Sequence, residues 1–136
     1  MSRVVVVDAS IAATWLFDDE ADPRAATALA ALETMSGFVP QLWHFEMRNI
    51  LLTARRRQRI TSEGLKDRLV ALIDLPLETD CEPVLDQALA FAEKHELTVY
   101  DALYLELACR LRAKLATLDA ALLRAARSEA LIVIDD

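Results

Sequence analysis

The chain is poor in cysteine and glycine, and it has no long apolar run and no excess of positive charge. Cys81 and Cys109 stand alone, without a CxxC pair or a Cys/His cluster. Neither a zinc pattern nor a disulfide framework is therefore present, and ordinary reduced thiols are expected. No apolar stretch approaches the roughly 20 residues that span a bilayer, and MSRVVVVDAS lacks the apolar region and cleavage site of a signal peptide. The expectation is a cytoplasmic protein with no membrane partner. The formal net charge of −7 opposes unassisted binding to nucleic acid, because most of that binding energy comes from neutralising phosphates. A polyanionic substrate would need metal ions or a local basic patch. Two glycines in 136 residues, 54% hydrophobic content and no repeat, linker or low-complexity tract point to one compact domain over residues 1–136.

The pattern along the chain alternates between strand and helix. Arg3 to Asp8 carries a run of four valines, apolar throughout rather than alternating, as expected for a parallel strand covered on both faces, with Asp8 at its carboxyl end. Asp22-Pro23 pairs a capping residue with proline at a first helical position, so a helix is predicted over 24–32, followed by a short strand over 37–40. Residues 41–59 and 62–73 form two helical patterns broken at Ile60-Thr61, a predicted helical hairpin with Thr61 as cap. A strand over 75–79, a helix starting at Glu82-Pro83 and running to His95, and a helix capped by Thr98 and running to Arg112 follow. Strand 113–119, helix 120–127 and strand 131–134 complete the order. The fold class expected is α/β, a parallel sheet sandwiched by helices.

Against this frame four carboxylates are out of place. Asp8, Glu46, Asp101 and Asp119 each lie inside or at the end of an apolar segment, where an ionised group must be paired, protonated or metal-bound. Asp8 and Asp119 fall at carboxyl ends of strands, where open parallel sheets place their sites. In the segment 99–108 the only charges are Asp101 and Glu106, about 140° apart at helical spacing. Glu106 shares a face with Arg110, whereas Asp101 stacks with Tyr104, Leu105 and Ala108, so Asp101 is predicted to turn inward. Glu46 lies near Leu42, Asn49, Ile50 and Thr53, opposite His44, Arg48 and Arg55, so Glu46 and Asn49 are expected to face one pocket. Any one of these acids could be a cap, a surface ion pair or a turn residue; four together favour a shared acidic site.

The ordered combination resembles the PIN-domain nucleases, particularly the VapC-like toxins of toxin–antitoxin pairs, over essentially the whole chain. Val7-Asp8-Ala9-Ser10 is similar to the first motif, Glu46-Met47-Arg48-Asn49 to the second, Tyr100-Asp101-Ala102-Leu103-Tyr104 to the third, and Thr117-Leu118-Asp119 to the fourth. The resemblance implies a three-layer α/β/α PIN-like domain with a mainly parallel sheet of four to five strands and a helical hairpin. It also implies that Asp8, Glu46, Asp101 and Asp119 are catalytic and hold Mg²⁺ or Mn²⁺, supported by Ser10, Asn49 and Thr117. The implied activity is a hydrolase reaction, endonucleolytic cleavage of RNA by metal-activated water. The implied partners are an RNA substrate, a VapB-like antitoxin and a second copy in a homodimer.

Arg55, Arg56, Arg57 and Arg59 form the only dense basic run, a candidate RNA contact or else a solvated helix end. His44 and His95 are expected in surface or local hydrogen-bonding roles, and Trp15, Phe17, Trp43, Phe45 and Met47 in core packing. Two rival classes remain. A PIN-like module that binds RNA or protein without chemistry would normally have lost one of the acids. A receiver domain or haloacid-dehalogenase-type phosphatase would need adjacent acids with a lysine, or Asp-x-Asp, whereas Asp8 is followed by Ala9-Ser10.

Overall fold

A computed structural model describes residues 3–135; Met1, Ser2 and Asp136 of the expected 1–136 domain lie outside the described residues. The described chain runs β1 (Val4–Val7), α1 (Ala9–Leu16), α2 (Pro23–Ala31), β2 (Ser36–Pro40), α3 (Gln41–Arg56), α4 (Ser62–Ile73), β3 (Leu77–Asp80), α5 (Leu85–His95), α6 (Val99–Leu111), β4 (Lys114–Ala116) and α7 (Ala120–Ser128). The strands form one sheet in the order β3-β2-β1-β4, and every pairing is parallel. Helices α1 to α4 pack among themselves, α5 and α7 both pack on α6, and α6 lies along β1, β2 and β4. This is the three-layer α/β/α arrangement.

The apolar run explains the central strand. Val5, Val6 and Val7 are fully buried, as a strand covered on both faces requires. Gly37 on β2 sits in close packing: a Cβ there would lie 2.5 Å from Leu32 Cδ2 and 2.7 Å from Leu77 Cδ2, so both leucine ends would have to move aside. Three predicted caps form. Asp22 accepts from the Arg24 N–H, Thr61 from the Gly64 N–H and Thr98 from the Asp101 N–H.

The departures have physical reasons. Helix α1 follows β1 directly, with no turn residue to announce it; its mostly apolar ASIAATWL carries little helical polarity pattern. Helix α5 begins at Leu85 rather than beside Pro83, because the Val84 N–H is held by Glu106 Oε1 at 2.9 Å. Helix α3 stops at Arg56, and Gln58 takes a left-handed φ of 60°. The strand expected over 131–134 is reduced to one parallel bridge, Leu115 with Val133, since β4 offers it only three residues. Phe45, expected in the core, is 64% exposed, whereas Phe17, Trp43 and Met47 are buried as expected. Among the described residues no helix is long and apolar enough to cross a membrane.

Candidate functional site

From β1 the chain steps outward to β2 and β3, then returns to lay β4 on the opposite side of β1. Such a reversal opens a crevice beyond the carboxyl ends of the two strands flanking it, here β1 and β4. Asp8 ends β1 and Asp119 follows β4 by three residues.

Asp8 occupies the N-cap position of α1, and its carbonyl accepts from the Ile11 and Ala12 N–H groups at 3.1 and 3.2 Å. Its carboxylate makes no capping bond. Instead Oδ2 accepts from the hydroxyls of Ser10 at 2.7 Å and Thr117 at 2.6 Å. Those hydroxyls accept in turn from the N–H groups of Leu118 and Asp119, at 2.9 and 3.0 Å. The chain after β4 is thereby tied to the end of β1. Asp119 does cap a helix: its Oδ1 accepts from the Ala121 and Leu122 N–H groups at 2.8 and 3.1 Å.

The other two acids come from helices. Glu46, in the second turn of α3, accepts at Oε1 from the Tyr104 hydroxyl of α6 at 2.6 Å. Asp101 sits in the first turn of α6, where its N–H donates to Thr98 Oγ1 at 3.1 Å. Ser10 and Thr117 thus touch Asp8 directly. Asn49, one turn beyond Glu46, is exposed, and its side chain carries none of the hydrogen bonds found among the described residues.

The four carboxylates form one electrostatic unit. Asp8 is 7% exposed. Burial raises its pKa most, the Thr117 and Ser10 hydroxyls draw it back, and the Asp101 charge pushes it up again. Glu46 is raised by burial and further by Asp8 and Asp101, against the Tyr104 hydrogen bond. Asp101 is raised by burial and by repulsion from Asp119. Burial and the neighbouring carboxylates thus make ionisation of Asp8, Glu46 and Asp101 costly, a cost that a bound cation would offset.

The donor chemistry fits a hard divalent ion, since carboxylate oxygens with no thiol or imidazole among them suit Mg²⁺ or Mn²⁺. Among the described residues no three His, Cys, Asp or Glu side chains are grouped so that together they could hold a metal ion. Mg²⁺ asks for less, keeping several waters and taking one or two carboxylates plus a substrate phosphate.

A cavity of about 190 Å³ is lined by Leu42, Phe45, Asp80, Tyr100, Leu103 and Glu106 among others, and by none of the four acids. Phe45 and Tyr100 directly precede Glu46 and Asp101, and both are 64% exposed.

Glu106 corrects the inward–outward argument. It is 2% exposed, more buried than Asp101. Its oxygens accept from the Val84 N–H and from Arg110 Nε at 2.8 Å, and Arg110 also reaches Asp80 at 2.8 Å. Helical spacing separates the two faces correctly, but α5 covers the face that carries Glu106. The basic run divides. Arg59 pairs with Asp19 at 3.2 Å and lies 4.7 Å from the Phe17 ring centre, and Arg55 donates to Ser62 Oγ at 3.2 Å. Arg56 and Arg57 are exposed, with no side-chain partner among the described residues. His44 bonds Thr79 at 2.7 Å and His95 bonds Glu129 at 2.6 Å, both away from the acids.

The fold is shared with solved proteins. The PAE2754 protein of Pyrobaculum aerophilum is 25% identical, with a TM-score of 0.68 over 98% of this chain and 92% of its own. VapC20 of Mycobacterium tuberculosis, described as a sarcin–ricin loop cleaving toxin, is 14% identical, with a TM-score of 0.64 over 89% of this chain and 94% of its own. FitAcB from Neisseria gonorrhoeae is 16% identical, with a TM-score of 0.68 over 96% of each chain. No curated protein sequence matches this chain significantly. The family model for the PIN domain matches residues 5–128, from the first buried valine of β1 to the end of α7. The chain belongs to the PIN domain family.

Proposed function

We propose that this protein is a metal-dependent endoribonuclease of the VapC toxin type, hydrolysing RNA phosphodiester bonds at Asp8, Glu46, Asp101 and Asp119. The observation that carries the reading is the placement of Asp8 and Asp119 beyond the carboxyl ends of β1 and β4, with Asp8 buried and held by Ser10 and Thr117, in a chain that the PIN family model matches over residues 5–128. Bound Mg²⁺ or Mn²⁺ supplies an activated water and neutralises charge developing on the phosphate. Asp8 and Asp101 are the most direct ligands in this reading, Glu46 binds metal or positions water, and Asp119 holds a weaker or second ion. Ser10 and Thr117 fix Asp8, whereas Asn49, exposed and without a side-chain hydrogen bond among the described residues, takes no part in holding Glu46. No histidine is required, in keeping with the positions of His44 and His95.

Arg56 and Arg57, exposed and without side-chain partners among the described residues, supply RNA phosphate contacts against a net charge of −7. The exposed Phe45, Tyr100, Leu85 and Leu89 offer the apolar area expected of a homodimer contact. A VapB-like antitoxin is the inhibitory partner. Support comes from solved relatives of the same fold, which include VapC20 and a toxin–antitoxin complex from Klebsiella pneumoniae, 16% identical with a TM-score of 0.57 over 82% of each chain. The location proposed with this reading is the cytoplasm.

Induced expression in a bacterial host tests the toxin reading. Growth arrest by the wild type that is lost in Asp8→Asn and Asp101→Asn, with all three proteins folded, is expected. Equal arrest by all three would instead indicate the second reading, an RNA- or protein-binding PIN module without chemistry.

A further inference from the structure

Tyr104 lies at the centre of the molecule with no exposed surface, yet carries a hydroxyl. A buried phenol must find an acceptor, and this one donates to Glu46 Oε1 at 2.6 Å, joining α6 to α3. The same division of oxygens recurs among the acids. Asp8 receives both of its hydroxyl bonds on Oδ2, and Asp119 receives both of its backbone bonds on Oδ1. In each of the three, a protein donor anchors one oxygen and fixes the direction of the other. Glu46 has the longest side chain of them, and Tyr104 supplies its only side-chain hydrogen bond among the described residues.

We propose that Tyr104 is a positioning residue for the metal site: its hydroxyl holds Glu46 by Oε1, so that Oε2 alone is presented to the ion or its water. The inference rests on the metal reading of the quartet. Tyr104 never touches substrate or metal and acts only through Glu46. Without the hydroxyl, Glu46 would sample several rotamers and lose the preorganisation that hydrogen-bonded outer residues give a ligand.

The test is Tyr104→Phe, which keeps the ring that fills the core and removes only the oxygen. Mn²⁺ binding to the RNA-free protein is followed by electron paramagnetic resonance, and cleavage is then measured on an RNA that the wild type cuts. The expected result is Mn²⁺ affinity about 10-fold weaker and kcat lowered about 10-fold or more, with KM for RNA unchanged. In the background of Glu46→Gln the same substitution should add no further loss, because the phenol acts through that carboxylate. Unchanged Mn²⁺ affinity, or a full additional loss in the double variant, would overturn the assignment. Circular dichroism shows whether Tyr104→Phe folds; if it does not, the wild type carries the test, since an infrared carboxylate signature of bidentate Glu46 with Mn²⁺ bound would overturn the single-oxygen assignment, and a monodentate one would uphold it. Failure of the metal reading itself looks different: the wild type would then bind no Mn²⁺ at all, and the role of Tyr104 would fall with it.

Discussion

At the scale of single residues the candidate site contains three carboxyls whose ionisation opposes folding. Asp8, Glu46 and Asp101 have pKa values above their ordinary range, with burial the largest cause in each. In the window between the unfolded and folded pKa the native state binds more protons than the unfolded chain. Stability is therefore present below the unfolded value and declines as pH rises through the folded one. The metal-free protein should melt higher at mildly acidic pH than at neutral pH, and divalent metal should restore the loss. Asp101→Asn is expected to raise the metal-free Tm at pH 7 by a few degrees, on the order of 1 kcal/mol, and to weaken the rise on adding Mg²⁺. Differential scanning calorimetry with and without metal checks both signs. All four acids were identifiable in the sequence as charges in apolar segments. Their tethers were less legible: Tyr104 was placed on the face of Asp101 by helical spacing, but its bond runs to Glu46, 58 positions away, a pairing that only packing reveals.

At the scale of elements, scarcity of glycine has a structural consequence. Gln58, Glu96, Arg112 and Ala130 all adopt positive φ, and neither glycine does. Glu96 and Arg112 close α5 and α6 in the left-handed conformation that glycine usually fills. Ala130→Gly, at φ 62°, should stabilise the protein by about 1 kcal/mol in urea unfolding, since it relieves a Cβ clash and no side-chain bond is lost. The buried Glu106 works in the opposite direction. It joins α6 to the start of α5 and shares Arg110 with Asp80, and Glu106→Leu should cost about 2 kcal/mol by leaving the Val84 N–H and the Arg110 Nε without their acceptor while Arg110 keeps Asp80. Equal stability of wild type and variant would show that water replaces this acceptor. Caps and the apolar β1 run were legible because their causes are local; α1 and the single bridge at Val133 were not, because the first follows a strand without a turn and the second depends on how short β4 is.

For the whole molecule, a net charge of −7 and an acidic crevice leave few places for RNA to bind. The structure separates the basic run into arginines engaged with the fold and arginines free of it. Arg56→Ala and Arg57→Ala should each weaken RNA binding uniformly across sequences and reduce the salt slope by about 1, whereas Arg59→Ala should mainly lower Tm. Binding assays across a salt series separate the two behaviours. Parallel order and layer architecture were legible from the alternation of segments, but the position of β4 beside β1, which brings Asp119 round to Asp8, was not.

The most direct measurement is cleavage of a total-RNA pool by the purified protein with Mg²⁺ or Mn²⁺, beside EDTA and Asp101→Asn controls, with fragment ends read by sequencing. Discrete cuts that require metal and vanish in the variant are the predicted result; cuts that persist in Asp101→Asn, or no cuts with either metal, would contradict the account.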